Sequence, residues 1–174
     1  MSRPVAHISL LLLCVSLFAC SNQRSASGND RGRAELTLRD KRITVEYDRP
    51  SMNGTDGLAR TPEGSIWKMG DTRATILTTD TPLRFGPALV PQGSYSLRAQ
   101  HGSGHNWWLI VDRDVEALQS QLEDTSAISM IPFIYTKTNQ SIEQLTITLA
   151  GQGNEGHVIV QWGLHRLDAT FRLQ

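Results

Sequence analysis

Cysteine, charge bias and long apolar runs are all scarce in this 174-residue sequence, and each shortage excludes something. The two cysteines stand at positions 14 and 20, so the chain beyond Cys20 has no second thiol and can form no internal disulfide. Lysine plus arginine equal aspartate plus glutamate at 17 each, and no basic stripe or run breaks the balance. That excludes the electrostatic footprint of a nucleic-acid binder. The apolar stretch from Ile8 to Phe18 is too short for a spanning helix, which needs about 20 residues. No second stretch of that kind follows.

What that stretch does fit is the core of an export signal, with Arg3 ahead of it and small Ala19 at its end. The run Leu17-Phe18-Ala19-Cys20 resembles the lipobox of bacterial lipoproteins, which implies cleavage before Cys20 and acylation of its thiol. An ordinary secretory signal with an incidental cysteine is the alternative. A single acyl chain contributes about 0.8 kcal/mol per buried methylene and holds only marginally, so stable anchoring takes more than one chain. The resemblance implies a diacylglycerol on the sulfur, and Ser21 resembles the residue that follows Cys in lipoproteins sorted to the outer membrane. The expected setting is therefore the bacterial cell envelope, facing the periplasm, with the bilayer as partner through Cys20. Residues 20–33 carry Ser, Asn, Gly and charge but no large apolar side chain, and read as a flexible tether. Residues 34–174 then form one domain of ordinary size.

Within that domain the dominant period is two. Leu36 and Leu38 alternate with polar neighbours, as do Ile43, Val45 and Tyr47, with Asp40-Lys41 as a short hairpin between them. The pattern recurs at Ala74–Leu77, Tyr95–Ala99, Trp107–Val111, Ile128–Tyr135, Leu145–Leu149, His157–Trp162 and Leu164–Leu173, with glycine-rich turns between. Short strands without alternating helices predict an all-β fold, an antiparallel β-sandwich or open barrel. Asp114–Leu122 alone has helical spacing, at Val115, Leu118 and Leu122, and predicts one short helix over an edge or end of the sheets.

Several fragments, in order, carry a family resemblance. They are Tyr47-Asp48-Arg49-Pro50-Ser51, Trp67-Lys68-Met69-Gly70 with Ala74-Thr75, Val90 to Leu97, Trp107 to Val111, Glu143 to Ile147 and Trp162-Gly163. Together they resemble a family of exported bacterial proteins known as domain of unknown function 2911. The resemblance implies a compact β domain and no known activity. The chain departs from the pattern in two places, reading Leu58 to Gly64 in place of a Gly-rich loop and Thr72-Arg73 in place of an Asn-Glu pair. Chemistry resting on that acid is therefore not carried over to these positions.

Arg49 draws most attention among possible site residues. The residue before a proline is biased to extended backbone, so the parity of Tyr47 should continue and aim the guanidinium inward at a strand end. One reading is a pocket in which Arg49 binds a carboxylate or phosphate, Trp67 forms an apolar wall, and Asp71 and Ser51 stand nearby. The other is a clamp, with Arg49 paired to Asp71 or to carbonyls to hold a loop. His101 and His105 flank Gly102-Ser103-Gly104 and could share an ion, with His157, Asp80 or Asp112 as further ligands. A zinc site needs three or four ligands and only two are local, so the rival reading is a polar loop. His165 shares the parity of Leu167 and Phe171 and reads as a hydrogen-bonded core residue. Trp107 and Trp108 should point to opposite faces of one strand.

Catalytic signatures are missing: no Gly-x-Ser-x-Gly elbow, no paired carboxylates, no phosphate loop in its strand–turn–helix setting. The sequence thus favours a non-catalytic domain that binds a small ligand or another envelope component, with no cofactor expected. A hydrolase or metal-dependent enzyme built around Arg49, Asp71 and the histidines is the alternative.

Overall fold

The computed structural model describes residues 30–54, 58–113 and 127–174. Ten strands occupy them: β1 (Arg31–Leu38), β2 (Lys41–Asp48), β3 (Ile66–Trp67), β4 (Thr75–Thr79), β5 (Leu83–Phe85), β6 (Ala88–Val90), β7 (Gly93–His101), β8 (Trp107–Asp112), β9 (Ala127–Gln152) and β10 (Glu155–Leu173). They form one antiparallel sheet in the order β1-β2-β4-β7-β8-β9-β10-β5-β6, with β3 paired to the end of β7, and the sheet is not closed into a barrel. The expected all-β, antiparallel architecture is thus present. The segment Asp114–Leu122, expected as a helix, lies outside the described residues.

The period-two pattern explains the strands directly. Ile43, Val45 and Tyr47 of β2 are buried, and their partners Leu36 and Ala34 in β1 and Leu77 and Thr79 in β4 share their face. The first hairpin turns on Arg39 and Asp40, both at positive φ (47° and 64°), rather than on Asp40-Lys41, because Lys41 already pairs with Leu38. Two consecutive left-handed residues suit the right-handed twist of the flanking strands. β1 begins at Arg31, so Arg31, Gly32 and Arg33 belong to the strand rather than to the tether; Arg33 reaches Glu46 across the pair.

β9 and β10 give the fold its second layer. The amino-terminal part of β9, Ala127 to Phe133, pairs with β8, and later residues up to Gln152 pair with β10. Between the rungs Lys137–His165 and Ile142–Gly163, residues Thr138 to Ser141 drop out of the ladder. β10 reverses around Gly163, at φ 63°. Its two ends lie side by side: Leu173 N–H donates to Asn154 O at 2.8 Å, Arg172 bonds Glu155, and His157 bonds Asp168. The later part of β9 then faces β1 and β2 across the core, where the Tyr47 hydroxyl donates to Ile147 O at 3.2 Å. Both layers contribute to one apolar core, with Val45, Leu77, Leu97 and Leu109 from one and Leu145, Val158, Val160 and Leu167 from the other.

Candidate functional site

Antiparallel pairing brings several strand ends together. β2 ends, β4 begins, β7 ends, β8 begins, and β9 and β10 both turn at the same end of the sandwich. The loops and strand ends there carry Arg49, Ser51, Trp67, Asp71, His101 and His105, the residues singled out from sequence. They do not form one cluster, and their partners differ from those expected.

Asp48 holds this end together. It is only 1 % exposed although it lies on the polar face of β2 with Thr44 and Glu46. The loop before β4 folds back over it: the main-chain N–H groups of Thr72 and Arg73 donate to Oδ2 at 3.1 and 2.8 Å, and the Thr72 hydroxyl adds a third bond at 3.2 Å. Two cations complete the set, Arg73 Nη2 at 2.7 Å and Arg31 Nη1 at 3.3 Å from Oδ1. Burial pushes this carboxyl up, but the bonds from Arg73, Thr72 and Arg31 outweigh it and hold the group below its ordinary value. The loop clamp foreseen for Arg49 and Asp71 is therefore made by Asp48 and Arg73.

Arg49 follows Tyr47 in parity, as its place before Pro50 implies. Its stem crosses Gly32, where an added Cβ would come within 2.7 Å of both Arg49 Cδ and Tyr47 Cζ. Its one ion-pair partner among the described residues is Asp30, not Asp71, with Nη1 at 3.6 Å from Oδ2. Asp71 is exposed. Ser51 bridges to Gln144 of β9, Met52 N–H donates to Glu143 O at 3.0 Å, and Leu145 N–H donates to Pro50 O at 3.0 Å. The chain after β2 is thereby tied to the opposite layer.

Trp67 is half-buried and stacks on Trp162, with ring centroids 5.9 Å apart, while the Trp162 indole donates to Glu143 O at 3.2 Å. Glu143 O thus accepts from both Met52 and Trp162, which places the Arg49–Met52 segment beside the tryptophan pair. Trp67 and Trp162 thus form one stacked aromatic pair beside that segment.

The rings of His101 and His105 stack on different aromatic residues, Trp107 and Tyr135. His101 has Nδ1 at 2.7 Å from Thr61 O and Nε2 at 2.9 Å from Gly104 O, and its ring lies on Trp107 at 4.2 Å. Both nitrogens face carbonyl oxygens, and a neutral ring can donate to only one of them at a time. His105 lies flat on Tyr135 at 4.3 Å, and the Tyr135 hydroxyl meets His165 Nδ1 at 2.8 Å. His165 is therefore a hydrogen-bonded residue, as expected, but half-exposed at the mouth of the core rather than inside it. His157 pairs with Asp168, and Asp80 accepts from Arg42 N–H at 2.9 Å. Asp112 pairs with Arg98 on the outer face of β7 and β8. Among the described residues no group of three or more His, Cys, Asp or Glu side chains is placed to hold a metal. A shallow polar trough of about 510 Å³, between Arg33, Arg42, Glu46 and Ser94, lies on the outer face of the sheet away from these loops.

Sequence reasoning missed three participants. Asp48 was noted only as part of the run Tyr47 to Ser51, and its burial comes from a loop folding back from positions 70–73. Tyr135 was counted only as the last residue of an apolar strand. Glu143 acts through its main-chain oxygen, to which the side-chain pattern gives no clue. Trp107 and Trp108 do split between faces, with Trp107 buried in the core and Trp108 half-buried outside.

The fold and its loop end define an all-β antiparallel domain with aromatic and cationic groups gathered where its strands terminate. The chain belongs to the family described as protein of unknown function 2911, whose pattern it matches over residues 30–171. No curated protein sequence and no solved structure matches it.

Proposed function

We propose that this chain is an exported, lipid-anchored envelope protein, held at the membrane by acylated Cys20, whose loop end binds a small ligand or another envelope component without catalysis. One observation carries the binding part of this reading. Half-exposed Trp67, Tyr135 and His165 and the guanidinium of Arg49 gather at a single end, on backbone tied across both layers. Flat rings beside a few polar groups are the usual lining of a small-ligand site. A non-catalytic role fits because the polar groups there serve as fixed bonds: His101 joins two carbonyls, and Tyr135 joins His165. The anchor rests on the lipobox resemblance at Leu17–Cys20.

The mature protein, purified in mild detergent from an exporting host without chelator, should retain an added mass in native mass spectrometry. That mass should disappear in Trp67→Ala while the circular dichroism spectrum is kept. A clean protein mass, with no tryptophan or tyrosine signal perturbed by an envelope extract, would overturn the reading.

A further inference from the structure

We propose that Arg49 is the anchor for an oxyanion on the ligand, a carboxylate or a phosphate, and that Asp30 competes for the same guanidinium. The inference rests on the reading of the loop end as the binding end and names the chemistry it recognises. Arginine carries five N–H donors and is always charged, so its hydrogen bonds must go somewhere. Among the described residues Nε is buried and has no acceptor. Nη1 has, among them, only Asp30 Oδ2 at 3.6 Å, beyond hydrogen-bond reach. The neighbouring carboxylate, Asp48, is already committed to Arg31, Arg73 and Thr72. A guanidinium only 32 % exposed and so weakly paired has unspent donors.

The position is built rather than incidental. Gly32 leaves the slot through which the Arg49 stem passes, since a Cβ there would collide with it. The backbone on either side is fixed, Arg49 N–H to Asp30 O at 2.9 Å and Leu145 N–H to Pro50 O at 3.0 Å. A held guanidinium presents its planar fork to carboxylate or phosphate oxygens, a geometry that lysine lacks. Asp30 precedes β1, and its side chain is half-exposed. Its main chain is pinned beside Arg49 while its carboxylate is free to turn toward solvent. A ligand oxyanion therefore displaces a weak ion pair rather than a strong one.

The test uses the mature lipid-anchored protein in detergent micelles, titrated at constant ionic strength with inorganic phosphate and, separately, with acetate. Isothermal titration calorimetry gives affinity, and the Arg49 side-chain N–H resonance reports the site. The expected result is saturable binding of at least one anion that moves this resonance. Binding should be lost in Arg49→Ala, weakened several-fold in Arg49→Lys, and about two- to five-fold tighter in Asp30→Asn, the range of an exposed ion pair. Arg49→Lys also serves if Arg49→Ala does not fold. The arm that binds tells carboxylate from phosphate. For phosphate, vesicles containing phosphatidic acid, compared with inorganic phosphate, tell a headgroup from a free ion. If neither anion binds, or both variants bind as the parent does, the Arg49 anchor falls. The loop-end reading still stands in that case if the native-mass ligand is retained and still lost in Trp67→Ala. An unchanged affinity in Asp30→Asn overturns the competition.

Discussion

Replacing Asp48 by asparagine isolates what the clamp contributes. The substitution keeps size and one acceptor but removes the charge that faces Arg31 and Arg73 and turns one carboxylate oxygen into a donor against donors. A hydrogen bond to a charged group contributes about 1.5–3 kcal/mol, and breaking a fully buried ion pair costs about 3–5 kcal/mol. The Arg31 and Arg73 side chains are 25 % and 48 % exposed and regain water when released, which lowers the cost. The expected loss is about 2–3 kcal/mol. With a urea slope of about 2 kcal/mol per molar for a domain of this size, the midpoint should fall by about 1–1.5 M at neutral pH, with the slope unchanged. Tryptophan fluorescence reads the transition. The pH dependence carries a second check. Since the folded carboxyl sits below its ordinary value of 3.8, its stabilisation is complete above that value and is lost as pH falls below it toward the folded value. The gap between parent and Asp48→Asn should therefore close in acid. A midpoint shift below about 0.3 M, or a gap that persists undiminished well below pH 3.8, would refute the reasoning.

Other consequences are as direct. Trp162→Phe keeps an aromatic ring against Trp67 but removes the donor to Glu143 O, and should cost about 1 kcal/mol in denaturant unfolding. Gly156→Ala should cost more, about 1–3 kcal/mol, because its Cβ would lie 2.4 Å from the buried ring of Phe171. Tyr135→Phe should lower stability by about 1 kcal/mol and shift the His165 imidazole resonances, since it removes the hydroxyl that meets Nδ1. Cys20→Ser should move the protein from the membrane to the soluble fraction of an exporting host; a variant that stays in the membrane fraction would refute the anchor.

Strand parity was readable because each buried stripe is local: Ile43, Val45 and Tyr47 announce a face whatever lies opposite. Arg49 was readable for the same reason, its direction following from Tyr47 and Pro50. Its partner was not: Asp71 was the expected one, and Asp30, read as part of the tether, comes beside Arg49 only once β1 pairs with β2. The four segments foreseen between Ile128 and Leu173 are real, yet two pairs of them join into β9 and β10, which turn without a break in strand geometry. Gly163 marks one reversal, whereas Thr138 to Ser141 mark the other with no glycine or proline. Asp48 shows the limit most clearly. An aspartate at an outward position of a strand reads as solvated, and only the return of a distant loop buries it.

The sharing of β9 between the two layers also bears on how the chain reaches its fold. Tyr47 waits for Ile147, a partner 100 residues later in the sequence, and β1 and β2 have no opposing layer until β9 exists. Contacts so remote place the closure cost before the reward, which slows folding. During vectorial synthesis, the strands before β9 would present their apolar face without a cover until the last strands arrive. A chain cut short after β8 should therefore not yield a smaller stable domain, and whatever escorts the nascent protein must shield that face until its final third is delivered.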